Sequence, residues 1–328
     1  RRRTGIMINV KDLPVDVDEM RLWLIGYREL SDPPIPWSQL HRETSIPAGT
    51  LQPFCAGTYQ GKNENVARKV FQFRQSVEQQ SARQKSLPRD PGYFETQTSS
   101  RILELLEIAH MGRITICGAG PGTGKTVTVR EYKERAQPVW VATMKPSAVR
   151  LNPMILAVHK ALGLEPRRMP AAEASNVVIE RVRGRRGLLV IDEANFLSIE
   201  GIEEIRNWHD ETGVGVCLLG NEELLARIET GRHRDQFARL NRRIANRHAQ
   251  RLPTRDDVRV FCDAWGINQP DIRHYLEKIA LTPDSGGLGE CQQLIEAGSM
   301  LAAADDRGLS LADLRDAQAT RATRWIKA

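Results

Sequence analysis

The chain has 328 residues, 41% of them hydrophobic and 27% charged, with a formal net charge of +6, a length that exceeds one typical domain and implies two or three folding units. This composition excludes a collagen-like or largely disordered chain, no apolar run nears the roughly 18 residues a membrane span requires, and the leading RRRTGIMINV lacks a signal-peptide core, so a cytoplasmic protein without a membrane partner is expected. Five scattered cysteines without a C-x-x-C pair argue against a zinc site or a disulfide framework, while arginine-rich runs at Arg167-Arg168, Arg181 to Arg186 and Arg232 to Arg251 make a polyanion a candidate partner.

From the N-terminus, Asp18 to Leu30 has helical spacing and ends at SDPPIP. Ser38 can cap a short helix to Thr44, Ser45-Ile46-Pro47 turns, and a second helix runs from Ala48 to near Gly57, a helix-turn-helix pattern. Residues 75–92 are polar, end in proline and glycine, and read as a linker. From Phe94 onward, short apolar runs alternate with helical segments, as in a parallel sheet covered by helices. The expected strands are Arg113 to Cys117, Pro138 to Ala142, Gly187 to Ile191, Val214 to Leu219 and His248 to Leu252. Beyond Pro253 the segments Arg255 to Trp265, Ile272 to Ala280, Glu290 to Ala304 and Leu311 to Trp325 all look helical. The expectation is an α/β fold in three parts: an all-α unit with its linker over residues 1–88, a core with a five-stranded parallel sheet over 89–252, and a helical lid over 253–328.

The stretch RITICGAGPGTGKTVTV places a glycine-rich turn between a strand and a helix opened by Lys-Thr, the context a phosphate-binding loop requires. Gly120, Pro121, Gly122, Thr123, Gly124, Lys125, Thr126 and Val127 are the candidate nucleotide contacts. Main-chain N–H groups from Gly122 to Lys125 can converge on phosphates, Lys125 can reach the β and γ groups, and Thr126 can bind magnesium. Ala119 stands where the motif has its first glycine. The second element, GLLVIDEAN, is an apolar strand ending in Asp192 and Glu193. Asp192 can hold magnesium through its water shell, and Glu193 can orient a water toward the γ phosphate. A third strand, VGVCLLGN, ends in Asn221, and after it FARLNRRIANRHAQRL reads as an arginine-rich helix burying Phe237, Leu240 and Ile244. Arg243, with Arg242 and Arg239 as alternatives, is the candidate to reach a neighbouring subunit's γ phosphate. Together these motifs describe an ATPase that uses ATP and Mg2+.

Asn221, taken with the two motifs before it, resembles the sensor-1 position of AAA+ P-loop ATPases. The segments FETQT at Phe94 to Thr98, GPGTGKT followed by REY at Arg130 to Tyr132, VIDEA at Val190 to Ala194, LLGN at Leu218 to Asn221, FARL with RIANR at Phe237 to Arg247, and DAWGI at Asp263 to Ile267 extend the likeness. From about Trp37 to the C-terminus the chain resembles the Mu B family of transposition target-selecting ATPases. That resemblance implies ATP-dependent, sequence-nonspecific binding of double-stranded DNA, DNA-stimulated hydrolysis, self-assembly as a helical filament, and delivery of target DNA to a DDE transposase in a bacterial host. It also implies DNA contacts between the second and third strands, where Arg167 and Arg168 lie, with Lys145 and Arg150 as weaker candidates. Arginine–phosphate contacts give affinity without sequence readout. Thr50, Gln52 and Lys62 are candidate DNA contacts of the N-terminal unit, through the helix beginning at Ala48, with a protein-binding module as the lesser alternative. Where related ATPases often carry a sensor-2 arginine, this chain has Gly289 and Glu290. The competing functions are another DNA-handling ATPase, such as a replication initiator or helicase loader, and a nucleotide-regulated scaffold, against which the presence of Glu193 speaks.

Overall fold

The computed structural model describes residues 15–165, 167, 169–230, 234–283 and 285–321, and the chain divides into two compact units, Arg1–Leu87 and Pro88–Ala328. The first unit contains α1 (Val17–Glu29), α2 (Trp37–Thr44), α3 (Ala48–Cys55) and α4 (Asn63–Ser86). Asp16 starts α1 by accepting from the backbone N–H groups of Asp18 and Glu19 at 2.9 and 3.1 Å, donors the helix cannot satisfy itself. Met20, Leu24, Leu40, Leu51, Phe54 and Val70 close the core of the unit.

Two expectations are corrected here. Pro36, extended at φ −60°, ψ 143°, is the last residue before α2, so Ser38 falls inside the first turn and caps nothing. Residues 75–86 are helix rather than linker, because α4 continues to Ser86. Glutamine, glutamate, arginine and lysine are good helix formers, Arg74 Nε donates to Glu78 one turn on at 2.7 Å, and the stop comes only before Pro88. Polarity over residues 75–81 marks a mostly exposed helical stretch.

The second unit is built on five strands, β1 (Ile114–Ala119), β2 (Val139–Thr143), β3 (Leu188–Asp192), β4 (Gly215–Gly220) and β5 (Ile244–Gln250), in the order β2-β3-β4-β1-β5. Every neighbouring pair is parallel. β1, β3 and β4 are buried along their whole length, which is why they read as continuous apolar runs. The period of two sorts their side chains: Ile116, Leu189, Ile191 and Leu218 enter one core with α7 (Leu151–Ala161), α8 (Ala171–Val182), α9 (Ile199–Thr212) and α10 (Glu222–Glu229). Cys117, Leu188, Val190 and Leu219 enter the other, with α5 (Gln97–His110) and α6 (Lys125–Arg135).

The arginine-rich helix expected over residues 237–252 is not formed. A 3-10 turn at Arg234–Phe237 and one turn of α11 (Ala238–Asn241) precede β5, which starts at Ile244, four residues before the expected strand, and ends at Gln250. Phe237 and Leu240 are buried as a helical stripe would bury them, but Ile244 is the first ladder residue, opposite Ile114. β5 is an edge strand with alternating burial, so Arg247 is exposed while Asn246 and His248 are half-buried on the other face.

The lid comprises α12 (Arg255–Ala264), α13 (Pro270–Ala280), α14 (Leu288–Ala304) and α15 (Leu311–Arg321) around its own core of Val258, Phe261, Leu276, Leu294 and Leu314. The residues expected to continue the last helix to Trp325 lie outside the described residues. Among the described residues no helix is long and apolar enough to cross a membrane. All five cysteines are free, and burial pushes the thiols of Cys117, Cys217 and Cys291 up to about 12, which makes them inert packing groups.

Candidate functional site

β1 carries the chain to the C-terminal edge of the sheet and α6 leads it away, so residues 120–124 turn at that edge. Gly122 and Gly124 hold φ of +70° and +89°. A Cβ on Gly120 would sit 1.9 Å from the Arg251 carbonyl oxygen, and the Gly120 N–H donates to the Gln250 carbonyl at 2.8 Å, so only glycine fits where the loop crosses the exit of β5. Ala119 is the buried last residue of β1 and its methyl packs in the core. The motif therefore tolerates alanine at that place.

Lys125 opens α6, and its ammonium donates to the carbonyl of Gly120 at 2.8 Å and also to that of Ala119. Burial pulls the ammonium below the ordinary lysine range, against the fields of Glu193, Asp192 and Glu222. Asp192 ends β3 and is buried; its carboxylate accepts from the Thr126 hydroxyl at 3.4 Å and from the Glu193 N–H at 3.0 Å. Glu193 is held left-handed at φ +55°, ψ +38°, a costly conformation for a side chain of its size. Lys125, Thr126 and Glu193 line a cavity of about 610 Å³, which falls in the range of small-molecule sites, with Asp192 behind Thr126. Residues 121–127 and Glu193 form its phosphate side.

The aromatic wall of the cavity is Tyr93, Phe94, Phe261 and Trp265, with Leu288 and Gln292 also in the lining. Phe94 and Phe261 are 6.0 Å apart and nearly perpendicular, and Phe261 and Trp265 are 5.8 Å apart, an aromatic surface suited to a flat base. No motif marks this wall as a binding surface. The only signal is that FETQT and DAWGI each carry an aromatic residue that a generic ATPase does not need.

For a divalent cation, the Thr126 hydroxyl and the Asp192 carboxylate supply adjacent hard oxygen atoms. Among the described residues no group of three or more His, Cys, Asp or Glu could hold an ion without help. That donor set fits magnesium, which keeps waters and takes phosphate oxygens as further ligands.

Asn221 stands apart from this cavity. It occupies the N-cap position of α10, donates to Glu223 at 3.3 Å, leaves its buried Oδ1 without a partner, and lines a separate cleft of about 210 Å³ beside Gly120 and Pro121. Arg243 precedes β5 at the opposite edge of the sheet, where Nε donates to Asp210 at 2.8 Å and Arg206 pairs with the same carboxylate. Arg239 and Arg242 are exposed nearby. A seven-residue strand separates all three from their own phosphate loop by about 20 Å, so none can serve the nucleotide of its own subunit. At the sensor-2 place, the Leu288 N–H donates to the Gly122 carbonyl at 2.9 Å, Gly289 lines the cavity, and Glu290 pairs with Arg321 at 2.8 Å.

Among the DNA candidates, Lys145 and Arg150 are exposed in the segment between β2 and α7, and Arg167 is exposed in the loop before α8. Asn152 donates to the Met169 carbonyl at 3.5 Å, which brings the end of that loop back to the start of α7, beside Arg150. Arg168 lies outside the described residues. In the first unit, Gln52 and Lys62 are exposed and Thr50 is half-buried on α3.

Two family models match the chain: an AAA domain over residues 109–228 and the C-terminal part of the Mu B transposition protein over residues 242–320. The ATP-dependent target DNA activator B of Escherichia phage Mu is 30% identical over 249 residues, covering 75% of this chain and 78% of that protein. The Mu-like prophage FluMu DNA transposition protein B of Haemophilus influenzae is 28% identical over 264 residues, covering 80% and 90%. Among solved structures, the ORC2 protein of Aeropyrum pernix, in ADPNP-ADP complexes, superposes with a TM-score of 0.50 at 16% identity over 70% of this chain and 68% of that one. At that identity the likeness concerns the fold alone.

Proposed function

The chain belongs to the Mu B transposition protein family and is an AAA ATPase, and from that premise we propose that it is an ATP-controlled DNA-binding protein that captures target DNA and delivers it to a DDE transposase. The observation that carries this reading is the cavity onto which the phosphate loop, the Asp192–Thr126 pair and Glu193 converge. N–H groups of residues 122–125 cradle the triphosphate, and the Lys125 ammonium exchanges loop carbonyls for phosphate oxygens. Thr126 and Asp192 would hold magnesium, which would supply positive charge to offset the phosphates. Glu193 orients a water and takes its proton as the water oxygen bonds to the γ phosphorus and the bond from that phosphorus to the β–γ bridging oxygen breaks, releasing ADP and phosphate.

Subunits assemble as a helical filament on the duplex, with Arg243 reaching the γ phosphate of a neighbour. Lys145, Arg150, Arg167 and Arg168 contact the DNA backbone without reading bases, and α3 offers Thr50 and Gln52, with Lys62 nearby, as a second contact. The place of work is the interior of a bacterial host, where target DNA is found. The rival reading as a replication initiator or helicase loader draws only on the shared fold.

Strand transfer measured with the cognate transposase, a target duplex and ATP should depend on this protein. A transposase that captures targets equally well without it would end the transposition reading. Electron microscopy of duplex DNA with a non-hydrolysable ATP analogue should reveal helical filaments, which should be missing without nucleotide.

A further inference from the structure

Asp257 is fully buried in the first turn of α12, yet it belongs to none of the groups that face the phosphates. Its Oδ1 accepts from the Thr98 N–H at 2.9 Å, and its Oδ2 accepts from the Thr98 hydroxyl and from the Thr254 N–H at 2.7 Å. Thr98, itself buried, is in the first turn of α5, and its hydroxyl also accepts from Gln250 Nε2 at 2.6 Å. A buried carboxylate is costly unless its lone pairs are filled, and here they are filled by groups 159 residues away in sequence as well as by its own helix cap.

The position of this knot matters because of what extends from it. Phe94 and Thr96 lie just before Thr98 and line the cavity, and Phe261 and Trp265, four and eight residues after Asp257, line it too. The Phe94 and Phe261 rings meet at 6.0 Å. One carboxylate therefore ties together the two elements whose aromatic side chains bound the base end of the cavity. Its carboxylate does not bond the phosphate loop directly: the loop is anchored at the β5 exit and the start of α14, and the knot reaches it only through Gln250, whose side chain donates to Thr98 and whose carbonyl accepts from Gly120.

We infer that Asp257, acting through Thr98, is a positioning residue for the nucleobase: it holds Phe94 against Phe261 and Trp265 as one aromatic wall and governs affinity for the base without taking part in hydrolysis. This rests on the reading of the cavity as the ATP site. The test compares two probes, Mg-ATP and Mg-tripolyphosphate, the second carrying the phosphates with no base. In Asp257→Asn the amide nitrogen cannot accept the Thr254 N–H, and ATP affinity should fall about tenfold, as expected for one charge-assisted hydrogen bond. Tripolyphosphate affinity should stay unchanged, and KM for ATP should rise with kcat near the wild-type value.

Thr98→Val should give the same split, and Thr98→Ser, which keeps the hydroxyl, should restore wild-type ATP binding; this pair decides the matter if Asp257→Asn does not fold. Equal losses for both probes would reduce Asp257 to a fastener of the lid and overturn the proposal, as would unaltered ATP binding in Asp257→Asn and Thr98→Val. Wild-type protein that binds neither probe would instead remove the nucleotide site itself.

Discussion

The proposed roles of Lys125 in binding and Glu193 in hydrolysis can be separated by substitutions. The Lys125 ammonium is already desolvated and satisfied by loop carbonyls, so its charge is pre-placed for phosphate oxygens. Lys125→Ala should weaken Mg-ATP binding by about 10- to 100-fold, the worth of hydrogen bonds to a charged group, as measured by calorimetry. Glu193→Gln keeps the shape and removes the base. Hydrolysis should fall about 10²- to 10⁴-fold while ATP binding persists, leaving an ATP-bound, DNA-bound assembly that equilibrium binding and steady-state phosphate release can show. Undiminished turnover in Glu193→Gln would move the catalytic base elsewhere. These residues were legible in the sequence because each sits at a fixed offset from a buried strand, and a strand of apolar residues announces itself. Asp257 was not, since an isolated aspartate after a threonine reads as a helix cap, a role it also fills.

At the scale of elements, the lid depends on a compact ionic clasp. Asp313, at the start of α15, is almost wholly buried and accepts from Arg307 Nη2 at 2.7 Å, from Arg307 Nη1, and from the Ser310 N–H and hydroxyl at 2.9 and 2.6 Å. The Arg307 guanidinium holds this carboxyl well below the usual carboxylate range. Because the folded-state value is depressed, the clasp stabilises fully above the ordinary aspartate value near ~4, and the stabilisation is lost as pH falls from there toward the folded value. Asp313→Asn should therefore lower the thermal midpoint at neutral pH and flatten its decline in acid; parallel wild-type and variant midpoints down to pH ~3 would show that the clasp contributes nothing. The same scale explains which elements the sequence disclosed. β1, β3 and β4 are covered on both faces and could hardly be anything else, whereas β5 is an open edge whose Arg247 and His248 read as a polar helix. The C-terminal part of α4 misled in the opposite sense, through residues that favour helix but bury little.

For the molecule as a whole, the proposed function asks how a protein with a modest net charge of +6 would hold a polyanion without reading its sequence. The fold supplies an answer in where it gathers charge. The crossover between β2 and β3 sends the chain along α7 and then returns it, so that the end of the Arg167 loop meets the start of α7 near Arg150, with Lys145 just upstream. That end lies at the C-terminal edge of β2, the same edge of the sheet at which the phosphate loop leaves β1. Nucleotide and DNA backbone would then act on the same rim of the sheet, a short path for coupling one to the other. Each phosphate neutralised releases condensed counterions, so replacing Arg167 and Arg168 together by alanine should reduce the slope of log affinity against log salt by about 0.9 for each phosphate left without its arginine. Affinity should drop by the same factor for duplexes of unrelated sequence, because phosphate contacts carry no base information. Fluorescence anisotropy across a salt series on two such duplexes measures both quantities together. A slope equal to that of the wild type would take this loop out of the DNA interface, and a loss confined to one duplex would mean that it reads bases.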